Sequence, residues 1–209
     1  MPPRRVRAYV GLGANVGDPT ATLAAAVRAL AQLPDARVRA VSRLYATKPV
    51  GVTDQPAFRN AVVALDVPAG PDPRTGALAL LVALKGLERA FGRQVRGRWG
   101  PRELDLDLLV YGRHRLAVER PPEGRSLDAD SDPAAAEKLL EVPHPAAGER
   151  LFVLAPLADV APRLAPPGWH ETVGSARGRR EIAEGPDAVR PVARWDAATR
   201  GWASKPGAR

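Results

Sequence analysis

The run Leu104-Asp105-Leu106-Asp107-Leu108 alternates leucine with aspartate. In an extended strand successive side chains point to opposite faces, so the leucines enter a core while both carboxylates stand on the other side. The chain must therefore build a sheet around a strand with one apolar and one acidic face. The rest of the pattern supplies that sheet. Val6–Leu12 reads as a strand that runs into the turn Gly11-Leu12-Gly13-Ala14-Asn15. Asp18 and Pro19 mark a helix start, and Leu23, Val27, Leu30 and Leu33 continue it at helical spacing. Val38–Tyr45 alternates as a half-buried strand, residues 46–57 form a proline- and glycine-rich loop, and Asn60–Val67 is a second β-branched run. Pro73–Phe91 is a long amphipathic helix ended by Gly92, and Leu104–Tyr111 is the last strand. The order is βαββαβ, which predicts an α+β, ferredoxin-like core with helices packed on an antiparallel sheet.

Beyond residue 118 the character changes. Residues 119–138 carry prolines, serine, acidic groups and an alanine run, and read as a surface insertion. Order returns at 144–162, where 152–157 suggests a short buried helix, and residues 175–209 are polar and rich in arginine. A strand near Val189–Trp195 is compatible with that tail. There is no cysteine, hence neither a disulfide framework nor a thiolate metal site, and no apolar run approaches the ~20 residues of a membrane helix. A cytoplasmic protein is the expectation. The net charge of +8 raises the question of nucleic acid. Yet only four of the 31 basic residues are lysines, and an arginine excess beside abundant alanine, proline and glycine is what a genome rich in G and C produces.

Two carboxylates on one strand face repel unless a cation sits between them, and magnesium, with its preference for one or two carboxylates plus phosphate oxygens, is the obvious cation. A pair of solvated aspartates on an exposed sheet face remains the alternative. Immediately before the pair, Arg93, Arg96, Arg98 and Arg102 fall within ten residues. Guanidinium forks suit phosphate oxygens, so arginines beside a carboxylate-held metal describe a polyphosphate site. A solvated basic loop is the competing reading.

The run Gly92-Arg93 … Arg98-Trp99-Gly100-Pro101-Arg102-x-Leu104-Asp105-Leu106-Asp107 resembles the signature of the hydroxymethyldihydropterin pyrophosphokinases. Three further segments match that family in order: Gly11-x-Gly13-Ala14-Asn15; Tyr45-x-Thr47-x-Pro49-x-Gly51 followed by Asp54-Gln55-Pro56-x-Phe58-x-Asn60; and Val142-Pro143-His144-Pro145 with Arg150-x-Phe152 and Leu154-x-Pro156-Leu157. The resemblance implies a catalytic domain over residues 1–163, with the 119–138 insertion inside it and 164–209 as a C-terminal extension packed on it or trailing from it. It implies transfer of pyrophosphate from ATP to 6-hydroxymethyl-7,8-dihydropterin, with release of AMP, in folate biosynthesis.

The same resemblance implies the residue roles. Asp105 and Asp107 would hold two magnesium ions, and Arg93 and Arg102 would act with them on the phosphates. Arg98, His144, Arg150, Leu108 and Lys85 fall to the nucleotide side. Thr47, Pro49, Val50, Phe58, Asn60, Trp99 and Phe152 fall to the pterin, a flat ring that calls for aromatic walls and an amide. Core packing of Phe152 and a surface ion pair of Lys85 with Glu88 are the simpler alternatives for those residues. The expected partners are the two small substrates alone, with no nucleic acid and no membrane, on a monomer. An RNA-binding module on the same fold would need stacking aromatics where this chain has aspartates. No GxxxxGK[ST] loop occurs, which excludes a P-loop kinase.

Overall fold

Five stretches of the chain, residues 4–49, 54–93, 100–121, 137–185 and 187–204, are described by a computed structural model. Strand β1 (Arg5–Ala14) leads to helix α1 (Pro19–Leu30), then β2 (Arg37–Val41), β3 (Leu44–Thr47), β4 (Phe58–Pro68), helix α2 (Pro73–Ala90) and β5 (Asp105–Tyr111). Both helices start alike: Asp18 accepts from Ala21 N at 3.0 Å and Asp72 from Thr75 N at 3.0 Å, each followed by a proline whose missing N–H costs nothing there. Helix α1 ends three residues before the periodicity does. The chain continues through tighter turns, with Gln32 N donating to Ala29 O and Leu33 N to Leu30 O, so Leu33 still reaches the core.

All sheet pairings are antiparallel. The order is β5-β1-β4-β3, with β2 pairing the far half of β4, so β2 and β3 act as one interrupted strand and the ferredoxin-like order results. The single strand expected over Val38–Tyr45 is broken because the β2–β3 side carries one extra residue opposite β4: Val41 faces Val63 and Tyr45 faces Asn60. Ser42 repairs the ladder there, its amide donating to Val62 O at 3.0 Å and its hydroxyl accepting from Val62 N at 2.9 Å. The backbone N–H of Arg43 is left to bond elsewhere.

A second bulge lies in β5. Val10 of β1 pairs with Leu108 and Tyr9 with Val110, which leaves Leu109 as the extra residue. Leu104, Leu106 and Leu108 therefore enter the core under α1 and α2, while Leu109 and Val110 both enter a second core on the opposite face. That second core is built by α3 (Leu151–Val160) and α4 (Val173–Glu184), through Leu154, Leu157, Ala158, Val173 and Ala176. Helices thus cover both faces of the sheet, rather than one face only. Asp105 and Asp107 lie on the part of the second face that α3 leaves open, where they line a cleft.

Strand β8 (Val189–Asp196) extends the sheet beyond β3, with Thr47 opposite Val189, and β9 (Gly201–Ala203) completes a hairpin. Trp195 and Trp202 meet edge to face at 4.8 Å, and Trp202 Nε1 donates to Ser42 O at 2.9 Å, fastening the hairpin over the β2–β3 bulge. Strands β6 (Leu116–Glu119) and β7 (Lys138–Val142) form a separate ribbon that brings Glu119 opposite Lys138. Most of the segment between them, residues 122–136, lies outside the described residues.

Leu65, fully buried in β4 between α1 and α2, should be costly to truncate. Leu65→Ala is expected to lower unfolding free energy by about 2–5 kcal/mol in urea titration, whereas Val82→Ala on the exposed side of α2 (66% exposed) should change it by less than about 0.5 kcal/mol.

Candidate active site

The floor of the site is made by what β1 lacks. Gly11 and Gly13 face the open side, where a Cβ on Gly11 would touch the Leu109 side chain at 3.4 Å and one on Gly13 would press on Asn60 Oδ1 at 3.3 Å. Without side chains there, a cleft opens that encloses about 780 Å³ including its mouth. Its apolar and amide wall consists of Thr47, Phe58, Asn60 and Phe152; its charged wall of Arg102, Asp105, Asp107, His144 and Arg150. Asn60 Nδ2 donates to Thr47 Oγ1 at 2.8 Å, which fixes the orientation of the amide. The Arg150 guanidinium lies 5.8 Å from the Phe152 ring centre, within cation–π range.

A second groove of about 1100 Å³, mouth included, runs along the outer edge of β5. Leu81 and Lys85 of α2 form one side, Lys138–Glu141 of β7 the other, and Leu108 lies at its base. Asp107 and His144 line both spaces, so the groove and the cleft meet at them. His144 is anchored by its own amide, which donates to Leu109 O at 2.8 Å. Its Nδ1 accepts from Ala146 N at 3.2 Å, so the neutral ring carries its proton on Nε2.

The charges are organised from behind by Glu88. It takes a place in the apolar stripe of α2, after Ala77, Leu80 and Leu84, and is almost fully buried. Its Oε1 accepts from Lys85 Nζ at 2.7 Å and from the backbone amide of Leu106 at 2.7 Å, while Oε2 pairs with Arg93. Lys85 Nζ also donates to Leu106 O at 3.1 Å. Lys85 and Glu88 are thus not a surface pair but the join between helix and strand. Arg93 reaches on to Asp105 Oδ1 at 2.8 Å, where Arg102 arrives at 3.2 Å.

Burial alone would raise the Asp105 carboxyl, but Arg102, Arg93 and Lys85 outweigh it and hold the group below the ordinary carboxylate range. Burial likewise pulls the Arg93 guanidinium down, and Asp105 and Glu88 more than restore it. Asp107 is more open and, among the described residues, pairs with Lys85 at 4.0 Å. Among the described residues, the Arg93 and Arg102 ion pairs both fall on Asp105 Oδ1. Two carboxylates, joined by no third His, Cys, Asp or Glu among the described residues, suit a hard cation that keeps waters and phosphate oxygens, not a closed structural metal site.

Of the residues singled out from the sequence, Thr47, Phe58, Asn60, Phe152, Arg102, Asp105, Asp107, His144 and Arg150 meet in the cleft, and Leu108 and Lys85 in the groove. Arg93 stands behind Asp105 rather than among the residues that line the cleft. Pro49 is described, two residues past Thr47, but does not line the cleft. Val50, Arg96, Arg98 and Trp99 lie outside the described residues.

Lys48 also lines the cleft, and Asn15 acts from outside it. Asn15 is buried, and its amide donates to Gln55 Oε1 at 3.0 Å and Pro56 O at 3.1 Å. Its Oδ1 accepts from Arg102 N at 2.8 Å, so it ties the loop before β4 to the loop before β5. A carboxylate inside the apolar stripe of a helix is the signal that would have found Glu88.

An antiparallel sheet bearing paired aspartates, flanked by arginines at the meeting point of an aromatic cleft and a second groove, defines an enzyme of phosphoryl-group transfer. The comparisons narrow the class: residues 9–162 match the model of the 7,8-dihydro-6-hydroxymethylpterin-pyrophosphokinase family, and the chain belongs to that family. A 2-amino-4-hydroxy-6-hydroxymethyldihydropteridine pyrophosphokinase of Pseudomonas aeruginosa is 42% identical over 165 residues, 78% of this chain and 86% of the relative. One of Methylorubrum extorquens is 42% identical over 170 residues, 81% of this chain and 90% of the relative. Among solved structures, the Plasmodium falciparum HPPK-DHPS triple mutant with pteroate superposes with a TM-score of 0.66 at 14% identity, covering 98% of this chain. At that identity the likeness speaks for the fold, and the chain spans about half the length (49%) of that structure.

Because its folded pKa lies below its ordinary value, the Asp105 carboxylate stabilises the fold fully above about pH 5 and loses that contribution as pH falls through the folded value. Asp105→Asn has no such group to protonate. The stability gap between wild type and variant, read from melts in metal-free buffer, should therefore narrow steadily between about pH 5 and pH 3; a gap independent of pH would contradict the ion-pair account.

Proposed function

We propose that the protein transfers the pyrophosphoryl group of ATP to the hydroxymethyl oxygen of 6-hydroxymethyl-7,8-dihydropterin, giving the pterin diphosphate and AMP in folate biosynthesis. Membership of the family supports the reaction, since ATP is the co-substrate there. The observation that carries the assignment of residues is the meeting of cleft and groove at Asp107 and His144. A flat ring enters between Phe58 and Phe152 with Asn60 and Thr47 at its edge. The nucleotide lies along β5, with Lys85, Leu108 and His144 on its path and Arg98 and Arg150 toward its phosphates. Pro49, Val50 and Trp99 complete the pterin side in this reading.

The chemistry needs no covalent enzyme intermediate. The hydroxymethyl oxygen forms a bond to the β-phosphorus, the bond from that phosphorus to the α-phosphate oxygen breaks, and AMP leaves with the electron pair. Asp105 and Asp107 would hold magnesium, two ions in this reading, which when bound supplies charge neutralisation on the triphosphate. Arg93 and Arg102 are held near the phosphates by Glu88 and Asp105, so their orientation is set before substrate arrives. Asp107, the more open carboxylate, is placed to take the hydroxyl proton. Action as a monomer is part of the same proposal. Residues 1–163 would be the catalytic domain and 164–209 an extension of the same body. A cytoplasmic location agrees with the lack, among the described residues, of any helix long and apolar enough to cross a membrane.

Incubation with ATP, magnesium and the reduced pterin should release AMP and not ADP. Chelation of the metal should abolish turnover, and Asp107→Ala should reduce it by about a hundredfold or more while the protein remains folded. Appearance of ADP, or near-normal turnover by a folded Asp107→Ala protein, would overturn the assignment.

A further inference from the structure

The two walls of the cleft come from distant parts of the chain, and one partly buried carboxylate joins them. Thr47, Phe58 and Asn60 stand on β3 and β4; Arg150 and Phe152 stand at the start of α3. Apolar packing of Leu154 and Leu157 holds α3 against the sheet, but such packing is non-directional and leaves the helix free to slide along its axis. Direction comes from Asp159 near its far end. Its Oδ1 accepts from Arg43 Nη2 at 2.6 Å, and its Oδ2 accepts from Arg43 Nε at 3.0 Å, from the Arg43 backbone amide at 3.1 Å and from the Tyr45 hydroxyl at 2.9 Å. The backbone donor exists because the bulge between β2 and β3 takes the Arg43 amide out of the ladder with β4.

Tyr45 carries the connection to the cleft. It is fully buried, lies opposite Asn60 in the sheet and two residues before Thr47, and shares a small core with Ala155 and Leu151, the residue between Arg150 and Phe152. The Arg43 guanidinium covers the ring at 5.3 Å. Burial and the neighbouring Asp159 carboxylate push the Tyr45 hydroxyl well above its ordinary value, so it remains a donor throughout the neutral range.

We propose that Asp159 and Tyr45 are positioning residues for the pterin: they fix the axial position of α3 on β3 and so set the separation and offset of Phe152 from Asn60 and Thr47. The proposal rests on the reading of those three residues as pterin contacts. It assigns to Asp159, Arg43 and Tyr45 an effect on catalysis although, among the residues lining the cleft, none of the three occurs.

The test compares Tyr45→Phe, Asp159→Asn and Phe152→Ala for affinity toward the reduced pterin in the presence of magnesium and a non-hydrolysable ATP analogue, and for affinity toward the analogue alone. Loss of one directed bond in Tyr45→Phe should weaken pterin binding roughly fivefold, and Asp159→Asn should weaken it about tenfold or more. Analogue affinity should stay within about threefold, because Lys85, Arg93 and Arg102 stay with α2 and β5 while only Arg150 rides on the helix. A role confined to stability would lower the melting temperature without this split.

Unchanged pterin affinity in folded Tyr45→Phe and Asp159→Asn, with Phe152→Ala impaired, would overturn the proposal and leave the pterin wall standing. Unchanged affinity in Phe152→Ala would overturn the wall and the proposal together. Should Asp159→Asn not fold, Asp159→Glu keeps the charge and displaces it by one methylene, with the same expected weakening.

Discussion

The buried Glu88 carboxylate is the interaction on which the site depends. A charge inside an apolar stripe is tolerated only when it is paired and hydrogen-bonded, and here an amine, a guanidinium and a strand amide share it. Because one of those donors is the backbone of Leu106, the bond fixes the height of β5 against α2. Leu104, Leu106 and Leu108 are then seated in the core, and Asp105 and Asp107 must emerge on the opposite face. Because another donor is Arg93, the same carboxylate aims a cation at Asp105. Helix packing, strand register and the field at the site are thus set together.

The second face of the sheet is divided by side-chain size. At one end Tyr9, Val62, Ala64, Leu109 and Val110 accept the weight of α3 and α4; at the other, Gly11 and Gly13 offer nothing to pack against and leave a floor. Two of the sheet's bulges serve this division. The one at Leu109 turns two successive residues of β5 under the helices just past the aspartates, and the one at Ser42 and Arg43 frees the amide that Asp159 accepts.

Period-2 and helical patterns gave the six core elements and their order, because each buries one face and repeats its apolar residues accordingly. The paired aspartates and the arginines were visible for the same reason: their spacing has a physical meaning within one strand or one loop. What the sequence hid was set by tertiary contact. The short buried helix at 152–157 was legible, but α4 comes from a segment with weak periodicity and is held by only Val173 and Ala176 among its buried residues. A bulge inserts a residue without any compositional mark, so Val38–Tyr45 reads as one strand. Lys85 and Glu88 look like any i, i+3 surface pair until the stripe that contains Glu88 is known to be buried. Asn15 was noticed within a glycine-rich motif, but its work of tying two loops together depends on Gln55, Pro56 and Arg102, none of which is near it in sequence.

The ribbon of β6 and β7 has a consequence for how this chain can change. Glu119 and Lys138 face each other across one strand spacing, and β7 goes on to form a side of the groove beside Lys85. Both ends of the intervening segment are therefore pinned to neighbouring points by backbone ladders. Lengthening a chain whose ends are already fixed adds only a logarithmic entropy cost, about 0.6 kcal/mol per doubling. Added length at the ribbon tip therefore costs the fold little entropy so long as the ladder between β6 and β7 is kept.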